Sequence, residues 1–158
     1  PPNEAAAVYI TDLILPLVQG RSLTISGARP TKIVQQLASD SVNVVGWVKD
    51  IRDAYRSSQI FIAPIFSGTG QQNKILESMA IGLPCVTTTQ VNNAIGAREG
   101  EEVMIADNPE EFAVAIKKLL NDDELYKNIQ RNARNFVVDK YSWKEHVARL
   151  SSIIEGNA

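Results

Sequence analysis

Lys74 and Glu77 stand one helical turn apart in the segment GTGQQNKILESMAIGLP, Gly68 to Pro84. A lysine can place a point charge on a phosphate, and a carboxylate can accept two hydrogen bonds from a vicinal diol. Just ahead of them lie Gly68, Thr69 and Gly70, then the amides Gln71 and Gln72. Glycines between the carboxyl end of a strand and the amino end of a helix free backbone N–H groups for an anion. The helix dipole adds partial positive charge at the same point. From Gly70 to Glu77 is about 10 Å along a helix, at roughly 1.5 Å per residue, the scale of a diphosphate plus a ribose. The residues therefore suit a phosphate attached to something with hydroxyl groups. On spacing alone, Lys74 and Glu77 serve equally well as a surface ion pair.

Two familiar phosphate loops fail at named positions. A nucleoside-triphosphate loop ends in Gly-Lys-Ser or Gly-Lys-Thr, and the chain has no Gly-Lys pair. A dinucleotide fingerprint places a third glycine where Asn73 stands, and an acidic residue about 20 positions on, where Thr87 to Asn93 offers none.

The elements that would position these groups alternate along the chain. Apolar residues at helical spacing predict a helix over Asn3 to Val18, with Pro16 distorting or ending its last turn. Strands are expected at Leu23 to Ser26, Val42 to Val48, Ile60 to Ile65, Cys85 to Thr88 and Val103 to Ala106. Between them fall short helices near Ile33 to Leu37 and Ile51 to Tyr55, the helix of the candidate site from about Gln71 to Ile81, and a turn of helix around Asn92 to Ile95. Asn108-Pro109-Glu110-Glu111 is a helix start with its cap, first-turn proline and third-position carboxylate. Helices over Asp123 to Asp139 and from Ser142 onward close the chain, the latter on the capping box Ser-Trp-Lys-Glu.

This alternation, with strands apolar on both faces, predicts an α/β domain: a three-layer Rossmann-like arrangement with a parallel sheet, plus C-terminal helices. The chain opens on a helix where the pattern wants a strand, so the first strand is expected upstream of Pro1. At 158 residues, 44 % apolar and 22 % charged, the chain has the size and composition of one soluble globular domain. A net charge of -2 without a basic stripe argues against nucleic acid as partner. The longest apolar stretch, Val8 to Val18, is too short for a bilayer and carries Asp12 and Pro16.

The words of the central segment, GTGQQNKILESMAIGLPCVTT, resemble the nucleotide-binding segment of retaining GT-B glycosyltransferases, the glycosyl transferases group 1 or family 4 type. The chain is similar to a branch with Gly-x-Gly-x-x-x-Lys-x-x-Glu. PPNEAAA, VVGWVKDI, IADNPEEFAVAIKKLL and NARNFV-DKYSW extend the likeness over nearly the whole chain. The resemblance implies that residues 1–158 form a Rossmann-like nucleotide-sugar-binding domain, the C-terminal half of a two-domain enzyme whose N-terminal domain is absent here. It implies a hexosyltransferase type of activity, with UDP- or GDP-sugar as donor and a glycan or lipid-linked acceptor bound through the other domain. It further implies a role in polysaccharide biosynthesis, a cytoplasmic location with peripheral membrane association, and no metal or other cofactor. The isolated domain is expected to bind nucleotide without transferring sugar.

Residue by residue, the resemblance puts the diphosphate on the backbone around Gly68, Thr69, Gly70, Gln71 and Gln72. Glu77 matches the glutamate that takes the ribose hydroxyls, and Gly46, Trp47 and Val48 match the segment beside the nucleobase. Lys74 is the candidate catalytic residue, supporting the departing diphosphate. Where the family pattern has a first glutamate on the donor sugar, this chain has Thr69. Alternatives carried alongside are a sugar-nucleotide epimerase half-domain and a non-catalytic doubly wound scaffold.

Other reactive residues read as structural. Cys85, in an apolar run, reads as a buried inert thiol. His146 and Trp143 read as packing residues of the last helix, and Asp122, Asp123 and Glu124 as a charged helix start. One histidine and one cysteine exclude a structural zinc site. Trp47 suits either a wall of the base pocket or the core.

Overall fold

The computed structural model describes residues 2–67 and 73–141. In chain order the elements are α1 (Pro2–Tyr9), β1 (Leu23–Ser26), α2 (Lys32–Gln36), β2 (Val42–Gly46), α3 (Ile51–Arg56), β3 (Phe61–Ala63), α4 (Asn73–Ile81), β4 (Cys85–Thr87), α5 (Thr89–Ile95), β5 (Met104–Ile105), α6 (Pro109–Asn121) and α7 (Asp123–Tyr141). The helix expected from Ser142, with Trp143 and His146, lies outside the described residues.

Every element expected within that range forms, and the differences lie at the ends. Pro16 cannot donate a helical hydrogen bond, and the chain responds ahead of it. The helix widens to a π-helical turn at Ile10–Ile14, with Leu15 N–H on the Ile10 carbonyl, then tightens to a 3-10 turn at Leu15–Leu17. β2 stops at Gly46, whose φ of +71° turns the chain out of the strand before Trp47 and Val48. β3 stops at Ala63, where Pro64 follows and Ile65 N–H folds back to the Ala63 carbonyl at 2.9 Å. Thr88 does not extend β4. It caps α5, accepting from Val91 N–H at 3.3 Å, so the single turn expected near Asn92 is a helix of two.

All pairs of these strands are parallel, as apolar strands alternating with helices predict. Among the described residues the strands form two sheets, one ordered β1-β2 and one β3-β4-β5. The free edges of β1 and β3 face each other across a cavity of about 830 Å³.

The core follows the two-residue period of the strands. Ile60, Ile62, Val86, Met104 and Ala106 pack on one face with Ile10, Ile14, Phe112, Ile116 and Leu119. Phe61, Ala63, Cys85, Val103 and Ile105 turn to the other face, against Ile75, Met79, Val91, Ile95 and Ala133. α4 and α7 lie against each other there. Among the described residues, no helix is long and apolar enough to cross a membrane.

Candidate functional site

The carboxyl ends of parallel strands are where this class of fold gathers its ligand contacts, because loops and helix amino ends converge there. β3 delivers the chain to that end. Two threonines fix its exit, one at the end of β4 and one capping α5: Thr87 Oγ1 donates to the Ala63 carbonyl at 3.0 Å and Thr88 Oγ1 to the Ile65 carbonyl at 2.7 Å. Both threonines are fully buried. The chain leaves this anchor through Phe66 and Ser67 and re-enters description as α4 at Asn73. Gly68, Thr69, Gly70, Gln71 and Gln72, the expected diphosphate loop, lie between and outside the described residues.

α4 carries Lys74 and Glu77 in its first turns, while Ile75, Leu76 and Met79 of the same helix are buried. Of the two, Glu77 alone is exposed. Lys74 is half-buried, and removal from water pulls its pKa below the ordinary lysine value. Its Nζ donates to Oδ1 of Asn3, at the start of α1. No ion pair joins Lys74 to Glu77, so the surface-pair alternative is not what the structure shows.

Glu77 is exposed and is held from α3 instead. The Tyr55 hydroxyl donates to Glu77 Oε2 at 3.3 Å and reaches the Lys74 carbonyl at 3.4 Å. Tyr55 is only 8 % exposed and packs edge-on against Phe61 of β3. Burial, then the neighbouring Glu77 carboxylate, pushes its pKa up to about 12, so it is a firmly protonated donor. Sequence reasoning placed Tyr55 in a helix and gave it no role. Its signal was chemical: a tyrosine on the buried side of a short helix needs a partner for its hydroxyl.

The Gly46, Trp47 and Val48 segment leads from the carboxyl end of β2 into α3, and so toward Tyr55. Gly46 holds a left-handed backbone and accepts from Gly27 N–H at 2.9 Å, beside an irregularity in the β1 register. Val48 is half-buried. Trp47 is 71 % exposed, which removes the core-packing alternative and leaves its indole face open to solvent. Asp50 caps α3 through Arg52 N–H at 2.9 Å and forks with the Arg52 guanidinium.

Cys85 is fully buried and its thiol is pushed up to about 12 by that burial, against a weaker opposing hydrogen bond with Ser78. It is inert, as its apolar setting implied. Among the described residues, no group of three or more His, Cys, Asp or Glu side chains comes together as a metal site.

A family model described as "Glycosyl transferases group 1" matches residues 2–122. The chain belongs to that family. Among curated proteins, this group 1 chain is 28 % identical over 102 residues to an uncharacterized glycosyltransferase of Methanocaldococcus jannaschii, covering 63 % of the chain and 26 % of that protein. It is 26 % identical over 126 residues to spore coat protein SA of Bacillus subtilis, covering 77 % of the chain and 33 % of that protein. The chain spans between a quarter and a half of the length of the curated relatives it matches. Among solved structures, it superposes on Anabaena HepE in complex with UDP with a TM-score of 0.75 at 12 % identity, covering 92 % of the chain and 47 % of HepE. The C-terminal domain of the Francisella tularensis group 1 glycosyl transferase LpcC matches with a TM-score of 0.65 at 21 % identity, over 89 % of this group 1 chain and 77 % of that one. The Rossmann-like fold of such domains is therefore the fold of this chain.

Proposed function

We propose that this domain binds the nucleoside diphosphate of a sugar donor, UDP- or GDP-sugar, as the donor half of a retaining glycosyltransferase. The observation that carries the reading is the amino end of α4. There, after the carboxyl end of β3, a desolvated Lys74 and a tyrosine-held Glu77 sit one turn apart, following the glycine-containing sequence Gly68 to Gln72. Family membership and the UDP named in the HepE structure support it.

In this reading the backbone from Gly68 to Gln72 holds the diphosphate, Glu77 takes the ribose hydroxyls, and Gly46 to Val48 lie beside the base. Departure of the diphosphate leaves negative charge at the start of α4. Loop N–H groups, the helix dipole and Lys74 stabilise it, so catalysis is electrostatic support of the leaving group. A second domain brings a glycan or lipid-linked acceptor at the cytoplasmic membrane face, in polysaccharide assembly. Calorimetric titration of UDP and GDP into the chain and into Glu77→Ala tests the reading. The substitution is expected to weaken binding roughly tenfold, the loss of one charged hydrogen-bonding partner. Equal binding by both proteins would remove Glu77 from the site.

A further inference from the structure

The loop that follows β1 holds a backbone conformation that its residue does not favour. Arg29 has φ +56°, the one non-glycine residue with a positive φ among the described residues. In the left-handed region Cβ crowds the following carbonyl oxygen, and glycine would fill the place at lower cost. Such a conformation persists where its surroundings fix it, and it clusters at ligand sites. Both flanks of Arg29 are fixed. Gly27 N–H donates to the Gly46 carbonyl at 2.9 Å and Gln35 Nε2 to the Pro30 carbonyl at 3.0 Å, while Thr31 donates to Glu4 of α1.

What is held this way is a cation with nothing to bind. Arg29 is exposed, and among the described residues its side chain joins no ion pair and no hydrogen bond. The arginines of α3 differ, since Arg52 pairs with Asp50 and Arg56 with Asp53. Arg29 borders the same cavity as Asn3, Tyr55 and Lys74.

The sheet decides which part of a donor Arg29 meets. β1 pairs with β2, and Ser26 stands opposite Gly46. The two chains leave the sheet side by side, one toward Arg29 and the other toward the exposed indole of Trp47. Lys74 comes after β3, a strand of the other sheet. In the proposed function Lys74 supports the phosphate and Gly46 to Val48 lie beside the base, so Arg29 stands at the base end. The chemistry of its guanidinium then selects the base. It is a planar fork of donors with no acceptor. Guanine presents two acceptors side by side, N7 and O6, and the fork can meet both. Adenine sets an amino donor beside N7, and uracil offers O4 beside a carbon.

Resting on that donor reading, we infer that Arg29 reads the base of the donor nucleotide, its guanidinium forking onto N7 and O6 of guanine. The donor is then a GDP-sugar. Arg29 is a specificity-determining residue, and its left-handed backbone sets the direction of the side chain.

The test titrates GDP, UDP and guanosine into the chain and into Arg29→Gly and Arg29→Lys. Glycine removes the fork and suits a positive φ, so Tm is expected not to fall and lost binding is not lost folding. The unsubstituted chain is expected to bind GDP at least about tenfold more tightly than UDP, the discrimination of one bidentate contact. Both variants should lose that preference, with GDP weakened about tenfold and UDP by less than about twofold. Arg29→Lys keeps the charge and loses the fork, which separates base reading from simple attraction. Guanosine, which has no phosphate, should weaken by the same factor as GDP. Equal affinity of the unsubstituted chain for the two nucleotides, or a preference for UDP, overturns the inference and leaves the donor reading standing. So does an equal loss for GDP and UDP in Arg29→Gly, which would put the cation on the phosphate. Binding of neither nucleotide by the unsubstituted chain overturns both.

Discussion

The Tyr55 hydroxyl is shared between the Glu77 carboxylate at 3.3 Å and the Lys74 carbonyl at 3.4 Å, so one side chain of α3 supports both charged residues of α4. Tyr55 touches no expected ligand atom. It is a positioning residue, and its loss should be felt through Glu77. Tyr55→Phe keeps the ring and its packing on Phe61 and removes only the shared hydrogen bond, about 1 kcal/mol. UDP binding should weaken by roughly fivefold. Binding of 2′-deoxy-UDP, which offers Glu77 one hydroxyl fewer, should weaken less. Calorimetry with both ligands checks this, and an equal loss for the two would mean that Tyr55 acts on the helix rather than on Glu77.

Two buried groups set the alkaline limit of stability. Tyr55 is raised from 10.0 to about 12, and Cys85 from 9.0 to about 12. Each holds its proton more tightly folded than unfolded, so its contribution is complete below the unfolded value and fades as pH rises toward 12. At roughly 1.4 kcal/mol per unit of pKa difference, the two together steepen the loss between pH 9 and 12 by an amount on the order of 7 kcal/mol. Urea midpoints at pH 8, 9.5 and 11 should fall in that order. Tyr55→Phe should flatten the decline above pH 10 and leave the earlier part, due to Cys85, unchanged.

Much of this arrangement could be read from residue types. Asn108 caps α6 through Glu111 N–H at 2.9 Å, as its spacing ahead of Pro109 required. The Glu111 carboxylate in turn accepts from Asp107 N–H at 2.8 Å, the residue ahead of the cap. Local signals of this kind act within one turn and are visible in a line of sequence. The contacts of the site are not local: Tyr55 meets Glu77 across 22 positions and Lys74 meets Asn3 across 71. Which side chain of an amphipathic helix faces a neighbour depends on how helices pack, and no spacing within either segment records it. The partition into two sheets was equally hidden, since each strand reads as apolar whether its neighbour is a strand or a cavity.

Lys74 is tied to Asn3, so a phosphate near the start of α4 would draw Nζ from a neutral acceptor toward a charged one. Lys74→Ala should therefore weaken UDP about tenfold, the loss of one charge-assisted contact, and leave uridine, which has no phosphate, unchanged. Asn3→Ala removes only the resting partner, and UDP affinity should stay within about a factor of two. Competition titrations with UDP and uridine on the three proteins separate these effects. Weakened uridine binding by Lys74→Ala would place the lysine in the fold of the site and away from the phosphate.

Gly82 ends α4 in a left-handed turn with φ +79°. Its N–H bonds the Met79 carbonyl and the following Leu83 N–H bonds the Ser78 carbonyl, both at 2.9 Å, the paired closure that favours glycine at this position. An added Cβ would lie 3.3 Å from Gln130 Cγ on α7. Gly20 has a similar φ of +75° with nothing within 4 Å of the same added atom. Alanine at either site carries the left-handed backbone cost of about 1–2 kcal/mol. At Gly82 the contact adds to it, and Gln130→Ala should recover that addition alone. Denaturant unfolding of Gly20→Ala, Gly82→Ala and the Gly82→Ala, Gln130→Ala pair separates the two contributions. The double substitution is expected to match Gly20→Ala once the effect of Gln130→Ala by itself is subtracted. A double variant no more stable than Gly82→Ala would show that the backbone conformation, and not the packing of α7 on α4, sets the whole cost.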